Sequence, residues 1–238
     1  MLFSPEAPSQ PPTGTTAVGP SDDFIAMAAH ELRGPATVIA GVAEMLRQSA
    51  DAGALGEQGR ELLELLVRNS RHLRKLTVDV LSSVYLERGD LPVEMGTAPL
   101  LPIIRWGVEG ASAGDEVRIE CDSELTAQVD ADHLERIVTN LVANALQHGG
   151  APVVVSARAL ERSDTATISV RDFGQGVATD RSHLLFERFS PLAARTSTST
   201  GLGLSIARGL ARAMGGDLTY RPADPGSVFT VTLRASRM

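Results

Sequence analysis

Residues 24–46, FIAMAAHELRGPATVIAGVAEML, have the apolar pattern of a long helix and contain one histidine, His30. Apolar residues recur at 24, 28, 35, 38, 42 and 45, in steps of three and four with one interruption, which predicts a seam that packs against other helices. The interruption falls at Glu31, and His30 lies off the seam, so we expect its imidazole to face solvent. Pro35 removes one backbone donor and is expected to bend the helix after the histidine. Taken alone, such a histidine is most often an ordinary surface residue.

A second amphipathic helix is predicted over residues 57–88, after a short turn at 51–56 that contains two glycines. Leucine or valine occupies heptad positions 62, 66, 73, 76 and 80, and Asn69 is the polar exception. Two long helices joined by a short turn predict an antiparallel hairpin. Because a lone hairpin cannot bury both of its seams, we expect it to pair with a second copy as a four-helix bundle in a homodimer.

The pattern becomes mixed after residue 89, and the fold class we predict is α+β. The pattern predicts strands over 93–95, 117–121, 126–129, 153–159, 165–171, 217–221 and 227–233, and helices over 101–111, 131–148 and 202–214. This order predicts a two-layer α/β sandwich with a mixed or mostly antiparallel sheet. We therefore expect a helical hairpin over 21–89 and an α/β domain over 90–238. Residues 1–20, with five prolines, predict a disordered tail or linker.

Composition excludes several classes of protein. The formal net charge of −7 argues against nucleic acid or an anionic membrane as the main partner. The single cysteine, Cys121, cannot form an internal disulfide, and no Cys/His cluster has the spacing of metal ligands. No apolar run is long enough to span a membrane, so we expect a soluble, cytoplasmic chain. A sensor on a separate protein or upstream in the same protein is compatible with this expectation.

Two short blocks of the α/β domain carry polar side chains that can bind a ligand. Asn140 and Asn144 lie four residues apart on one face of the helix that His148 ends, and an amide oxygen can bind Mg²⁺ when phosphates supply other ligands. Asp172-Phe-Gly-Gln-Gly follows a strand; its glycines permit a tight turn, and the aspartate can accept a hydrogen bond from an amino group. Alone, the asparagines can be exposed or capping residues, although asparagine is mildly unfavourable within a helix, and the second block is better explained as an ordinary strand-exit turn.

Two further blocks follow along the chain. Phe186-Glu-Arg-Phe189 places two rings on one helical turn, which is common in a core. Gly201-Leu-Gly-Leu follows a run of Ser and Thr and leads into a helix, where backbone N–H groups can cradle phosphates. Neither block is specific when taken alone.

The order of these blocks resembles that of a known family. The patterns HELRxP, NxxxN, DxGxG, FxxF and GxG resemble the H, N, G1, F and G2 boxes of the bacterial sensor histidine kinases, over residues 22–236. The resemblance implies a dimerising hairpin that bears a phosphorylated histidine, followed by an ATP-binding domain of the class shared with gyrase and MutL. It also implies ATP and Mg²⁺ as cofactors and the receiver domain of a response regulator as partner.

Matched residue by residue, the resemblance makes His30 the phosphoacceptor and Glu31 its acid–base neighbour. Asn144 would hold Mg²⁺, with Asn140 supporting the same site, and His148 would lie beside the nucleotide. The expected product is phosphohistidine, from which the phosphoryl group passes to an aspartate of the regulator.

In the remaining boxes the resemblance makes Asp172 the partner of the adenine amino group, with Gly174 and Gly176 shaping the turn around the base. Phe186 and Phe189 would anchor a lid at about residues 190–200. The nucleotide would also meet the segment composed of Gly201, Leu202 and Gly203. Our candidates for neutralising γ-phosphate charge are Arg195 in the lid and Arg188.

Two positions depart from the family pattern. Position 34, usually Thr or Asn in the family and held to orient water for dephosphorylation of the regulator, is Gly34, so we predict weak phosphatase activity. Position 147, often Lys, is Gln147, which removes one phosphate-facing charge.

Two other functions fit the sequence less well. One is a catalytically inactive phosphotransfer or scaffold protein of the same fold, and the intact Asn144, Asp172 and glycine pairs argue against it. The other is an ATPase or serine kinase of the same nucleotide-binding class, against which the matched context of His30 argues.

Overall fold

The computed structural model describes residues 22–51, 56–111, 116–149, 152–160, 163–190, 192 and 200–236. It begins with two long helices, α1 (Asp22–Asp51) and α2 (Glu57–Arg88). The predicted tail at 1–20 and most of the turn at 51–56 lie outside the described residues. In the described ranges, no helix is both long enough and apolar enough to cross a membrane.

The helices α1 and α2 pack against each other as the predicted hairpin. Ala28, Pro35 and Val42 are buried on α1, and Leu76 is buried on α2, which follows the sequence seam. Val38 and Met45, also on the predicted seam, remain 38% and 48% exposed. Pro35 does not interrupt α1, which is continuous over its 30 residues.

The α/β domain has seven strands and three α-helices in its described part. The strands are β1 (Gly96–Pro99), β2 (Val117–Cys121), β3 (Thr126–Val129), β4 (Val153–Ala159), β5 (Thr165–Arg171), β6 (Asp217–Pro222) and β7 (Ser227–Ala235). The helices are α3 (Leu100–Gly110), α4 (Ala131–His148) and α5 (Gly203–Ala213), with a 3-10 helix over Thr179–Phe186. The strand predicted at 93–95 is wrong; β1 begins at Gly96, because its register is set by antiparallel pairing with β3.

The sheet is mixed and mostly antiparallel, as predicted. Its strand order is β1-β3-β7-β5-β4-β2, and β6 pairs with β7. The pairing of β2 with β4 is parallel, whereas the other pairings are antiparallel. Alternate residues of β5, at 166, 168 and 170, are buried, which leaves the intervening residues on the opposite face.

One helical layer covers the sheet and positions the site. The buried residues of α4 recur at helical spacing: Leu134, Ile137, Val138, Leu141, Val142 and Ala145. Asp130 caps this helix, since its Oδ1 accepts from the His133 N–H at 3.1 Å and its Oδ2 accepts from the Glu94 N–H at 2.8 Å. Burial alone would raise the pKa of Asp130, but these backbone donors outweigh it and hold the pKa below its usual value.

Candidate nucleotide-binding site

A cavity of about 370 Å³ opens between α4, the segment that follows β5 and the start of α5. Most of the predicted binding residues in the described part of the chain meet there. Those that line it are Asn140, Asn144, His148, Asp172, Gly176, Gly201 and Gly203. The tertiary structure therefore brings together three blocks that are far apart in the sequence.

Asp172 lies at the floor of the cavity with its carboxylate held in one orientation. Its side chain is buried, at 4% exposure. Oδ1 accepts hydrogen bonds from the Gly174 N–H at 3.0 Å and the Ser227 N–H at 3.2 Å. No hydrogen bond reaches Oδ2 from the described residues, so this oxygen remains available to an amino group in the cavity.

Glycines pack directly around Asp172. A Cβ atom at Gly149 would overlap the Asp172 side chain, and one at Gly226 would overlap its carbonyl oxygen. A Cβ atom at Gly174 would overlap Gly149. Gly174 does not line the cavity, but it permits the close packing that holds the aspartate.

The two asparagines of α4 face the cavity as their spacing predicts. Asn140 Nδ2 donates to the Gly203 carbonyl oxygen at 3.3 Å, which connects α4 to the start of α5. Asn144 makes no hydrogen bond within the described part of the chain, so its carboxamide is free to meet a ligand. The described residues contain no group of three His, Cys, Asp or Glu side chains that could hold a metal ion. A single amide oxygen nevertheless fits Mg²⁺ that is bound mainly by phosphates.

His148 ends α4 at the rim of the cavity. Burial lowers the pKa of its imidazole, and the nearby Asp172 carboxylate opposes this shift only in part. The imidazole is therefore neutral near pH 7 and can donate or accept a hydrogen bond.

The two phenylalanines of the predicted F box lie behind the cavity. The Phe186 ring packs edge-on against Phe229, with ring centroids 6.5 Å apart, and Phe229 lines the cavity. Phe189 adopts a positive φ of 51° and packs against the core. Leu202 is fully buried in the same core, so it does not face the cavity as predicted but anchors the glycines on either side of it.

Several predicted residues are not placed in the cavity. Arg188 forms an ion pair with Glu87 of α2 and does not line the cavity, so our γ-phosphate candidate at this position is not supported. Arg195 and most of the predicted lid lie outside the described residues. The structure places His30 and Glu31 on α1, and their side chains are outside the described part of the chain.

Sequence reasoning missed part of the lining. The missed side chains include Gln175, Arg181, Ser190, Ser227 and Phe229 of the α/β domain. Lys75 also lines the cavity, although it belongs to α2 in the helical hairpin. A residue that lies between two recognised motifs can be suspected from sequence to line the cavity. Lys75 belongs to another domain and to none of these motifs, so the sequence does not indicate that it lines the cavity.

Two family models match the chain. The model described as the His Kinase A (phospho-acceptor) domain matches residues 21–89. The model described as the histidine kinase-, DNA gyrase B- and HSP90-like ATPase matches residues 129–237. The two matches cover the helical hairpin and the domain that contains the cavity.

Curated relatives match across both domains. The chain is 31% identical over 221 residues to the signal transduction histidine-protein kinase AfsQ2 of Streptomyces coelicolor, covering 88% of this chain and 41% of the relative. It is 35% identical over 203 residues to the sensor protein CseC of the same species, covering 83% of this chain and 35% of the relative. The chain thus spans less than half the length of these two relatives.

Solved structures share the fold. The histidine kinase AdeS of Acinetobacter baumannii superimposes with a TM-score of 0.67 at 20% identity, over 87% of this chain and 98% of that one. With a phospho-acceptor model on the hairpin, an ATPase model on the cavity domain and curated relatives spanning both, the chain belongs to the bacterial two-component sensor histidine kinases.

Proposed function

We propose that this chain is an ATP-dependent protein-histidine kinase that phosphorylates His30. The observation that carries the proposal is the cavity, where an oriented Asp172 carboxylate, the α4 asparagines and the glycines at the start of α5 converge. A cavity with a buried acceptor at one end and a helix N-terminus at the other fits a purine nucleotide with its phosphates.

In the proposed reaction, a neutral imidazole nitrogen of His30 attacks the γ-phosphorus of ATP. A nitrogen–phosphorus bond forms, the bond from the γ-phosphorus to the β–γ bridging oxygen breaks, and ADP leaves with that electron pair. Histidine suits this role because its imidazole is a neutral nucleophile near pH 7. Glu31, the next residue, would orient the imidazole and take its proton.

The rest of the site contributes positioning and charge neutralisation, which dominate catalysis of phosphoryl transfer. Asp172 Oδ2 would accept a hydrogen bond from the adenine amino group. Asn144, supported by Asn140, would hold Mg²⁺, which neutralises phosphate charge when bound. The first-turn N–H groups of α5 have no partner within the helix and would face the phosphates.

We further propose that His30 passes its phosphoryl group to an aspartate of a response-regulator receiver domain. A histidine kinase of the same fold, ThkA, has been solved in complex with the response regulator protein TrrA, with a TM-score of 0.66 at 20% identity. We expect the reaction to take place in the cytoplasm, because ATP is supplied in that compartment. Gly34 lies on α1 four residues after His30, and its lack of a polar side chain supports weak dephosphorylation of the regulator.

A homodimer is part of the proposal. Large apolar side chains of α2, including Leu63, Leu81 and Tyr85, are 54%, 53% and 48% exposed. An exposed row of this kind on a helical hairpin is typical of a surface that a second copy covers.

The test is transfer of label from γ-labelled ATP in the presence of Mg²⁺. We expect acid-labile, base-stable label on the wild-type chain, and none on His30→Gln. The matched control is His183→Gln, which removes an exposed histidine that does not line the cavity and should label normally. Asp172→Asn should lose label, because its amide oxygen would stay with the Gly174 and Ser227 N–H groups and its NH₂ group, which only donates, would face the adenine amino group.

Other outcomes would contradict the proposal. Label that persists in His30→Gln would place the phosphoryl group elsewhere. Absence of label on the wild-type chain, with ATP bound, would favour an inactive phosphotransfer or scaffold protein. Acid-stable label on another protein would favour a serine kinase.

A further inference from the structure

We propose that Lys75 of the helical hairpin binds the phosphate end of the nucleotide, so that the site is shared between the two domains. This inference rests on the proposed function, because it assigns a residue to the same nucleotide site. Lys75 lines the cavity together with Asn140, Gly201 and Gly203, although it is more than 60 positions earlier in the chain.

The position of α2 beside the cavity is set by a buried aspartate. Asp79, one turn after Lys75, is only 2% exposed. Its Oδ1 accepts from Arg136 Nη2 of α4 at 2.9 Å, and its Oδ2 accepts from Thr200 Oγ1 at 3.0 Å. Arg136 Nη1 also donates to Ser82 Oγ of α2 at 2.7 Å. A buried carboxylate satisfied by a cation and a hydroxyl fixes α2 against the α/β domain.

The same aspartate reaches the glycine segment through Thr200. Thr200 Oγ1 donates to Asp79 and accepts from the Leu202 N–H at 3.2 Å, so it connects α2 to the residues that begin α5. Residues four apart on a helix lie on one face. Lys75 therefore lies on the face of α2 that meets the start of α5.

Packing farther along α2 supports the same alignment. Gly209 of α5 lies so close to Leu86 of α2 that a Cβ atom there would approach Leu86 Cδ1 to 2.5 Å. The ion pair between Glu87 and Arg188 lies next to this contact in the chain. Lys75 is thus held at the cavity by contacts along more than two turns of α2.

The charges around the cavity show what Lys75 would supply. Asn140, Asn144 and Gln147 face it from α4, and none carries a charge. Among the described lining residues, the side chains with a permanent charge are Lys75, Asp172 and Arg181. Asp172 is the proposed partner of the adenine, and Arg181 lies on the 3-10 helix over Thr179–Phe186.

Of the two lining cations, Lys75 lies on the face of α2 that the Asp79–Thr200 hydrogen bond holds against the start of α5, where the phosphates would lie. An ammonium group there would neutralise phosphate charge together with the helix dipole. Its effect should rise with the number of phosphates on the nucleotide.

The experiment measures binding of ATP, ADP and AMP to the whole chain by calorimetry, at one Mg²⁺ concentration. For Lys75→Met we expect the Kd for ATP to rise about tenfold, the size of one partly exposed charge-assisted contact. The Kd for ADP should rise less, and the Kd for AMP should not change. Lys75→Arg, which keeps the positive charge, should bind ATP within about threefold of wild type.

The matched control is Arg74→Met, which removes the neighbouring cation of the same helix that lines none of the described cavities. It should bind all three nucleotides as wild type does. A second comparison uses Asp79→Ala, which releases Thr200 and Arg136. In that background, adding Lys75→Met should change the Kd for ATP by less than about twofold, since α2 no longer holds residue 75 in place.

Each result has a distinct meaning. Unchanged ATP binding by Lys75→Met, with normal labelling of His30, would overturn the inference and leave the proposed function standing. An equal loss for ATP and AMP would also overturn it, because it would indicate general damage to the site. Failure of the wild-type chain to bind ATP would overturn the proposed function itself.

Discussion

The hairpin and the α/β domain bury their apolar side chains to different extents. Large side chains of the α/β domain, such as Ile137, Leu141 and Leu210, have no exposed surface. On α2, by contrast, Leu63 and Leu81 are more than half exposed. The α/β domain therefore has a complete core of its own, whereas the hairpin has apolar surface that only another protein surface can cover.

The C-terminal half of α2 belongs to both regions. It carries buried polar residues, Asp79, Ser82 and Ser83, where a lone hairpin would have solvent-exposed positions. Two of them bind Arg136 of the α/β domain. Helix α2 thus packs against α1, exposes apolar residues to solvent and docks on the α/β domain. Each of these three surfaces can be tested separately.

The largest expected effect is in the complete core. Leu141→Ala removes a fully buried side chain of α4 and should lower the free energy of unfolding of the α/β domain by about 3 kcal/mol. Urea denaturation followed by the fluorescence of Trp106, the one tryptophan of the chain, measures it.

The matched change in the hairpin is Leu63→Ala, at a leucine that is 54% exposed. It should shift the Trp106 transition by less than about 0.5 kcal/mol. Equal losses of unfolding free energy for Leu141→Ala and Leu63→Ala would contradict the difference in burial between the two regions.

The second expected effect concerns dimerisation through the exposed apolar row of α2. Leu63→Glu places a charge on the exposed apolar row of α2 and should weaken dimerisation about a hundredfold or more, because each dimer would bury two unpaired carboxylates. Sedimentation over a range of concentrations measures the dissociation constant.

The control for this variant is Leu160→Glu, at a leucine of the α/β domain that is 47% exposed. It should leave the dissociation constant unchanged. A wild-type chain that stays monomeric at micromolar concentration would remove the homodimer from the proposal.

The third effect tests a polar contact that completes the α/β domain. Asp130→Ala removes the cap of α4 and should cost about 1–2 kcal/mol at pH 7. Since the pKa of Asp130 is lowered in the folded state, its contribution is fully present above about pH 4 and is lost as the pH falls through the folded pKa. Denaturation at several pH values should therefore show the two proteins converging in acid, and a constant gap would contradict the assignment.

The smallest effect compares two exposed glycines of α1. A Cβ atom at Gly34 or Gly41 meets no heavy atom within 4 Å beyond its chain neighbours, so alanine fits at both. Gly41→Ala should stabilise the hairpin by about 0.5–1 kcal/mol. Gly34→Ala should gain less, because a Cβ atom before Pro35 crowds the proline ring in a helix.

Thermal denaturation at a fixed protein concentration measures both glycine variants. An equal or larger gain at Gly34 would show that the Pro35 ring does not crowd a Cβ atom at residue 34. The comparison thus separates the effect of Pro35 from the general cost of glycine in a helix.

Local patterns predicted most elements of the α/β domain, and the reason is visible in its residues. The bounds of β4, β5 and α4 match the predictions, because alternation or helical spacing in each segment coincides with one buried face. The strand expected at 93–95 failed, since Val93 packs against the core from a loop and pairing with β3 begins only at Gly96. Strand pairing depends on a distant partner that local pattern does not contain.

Local sequence pattern predicted the two-part architecture, and the five ordered blocks predicted seven of the residues that line the cavity. The architecture follows from periodicity within each segment of the chain, whereas the cavity residues follow from the resemblance of the ordered blocks to the sensor histidine kinases. The sequence pattern does not indicate that Leu202 is buried between two cavity glycines, that Arg188 pairs with Glu87 or that Lys75 reaches the cavity. Those outcomes depend on how α2 docks against α4 and α5, through Asp79, and such contacts join residues that are distant in sequence.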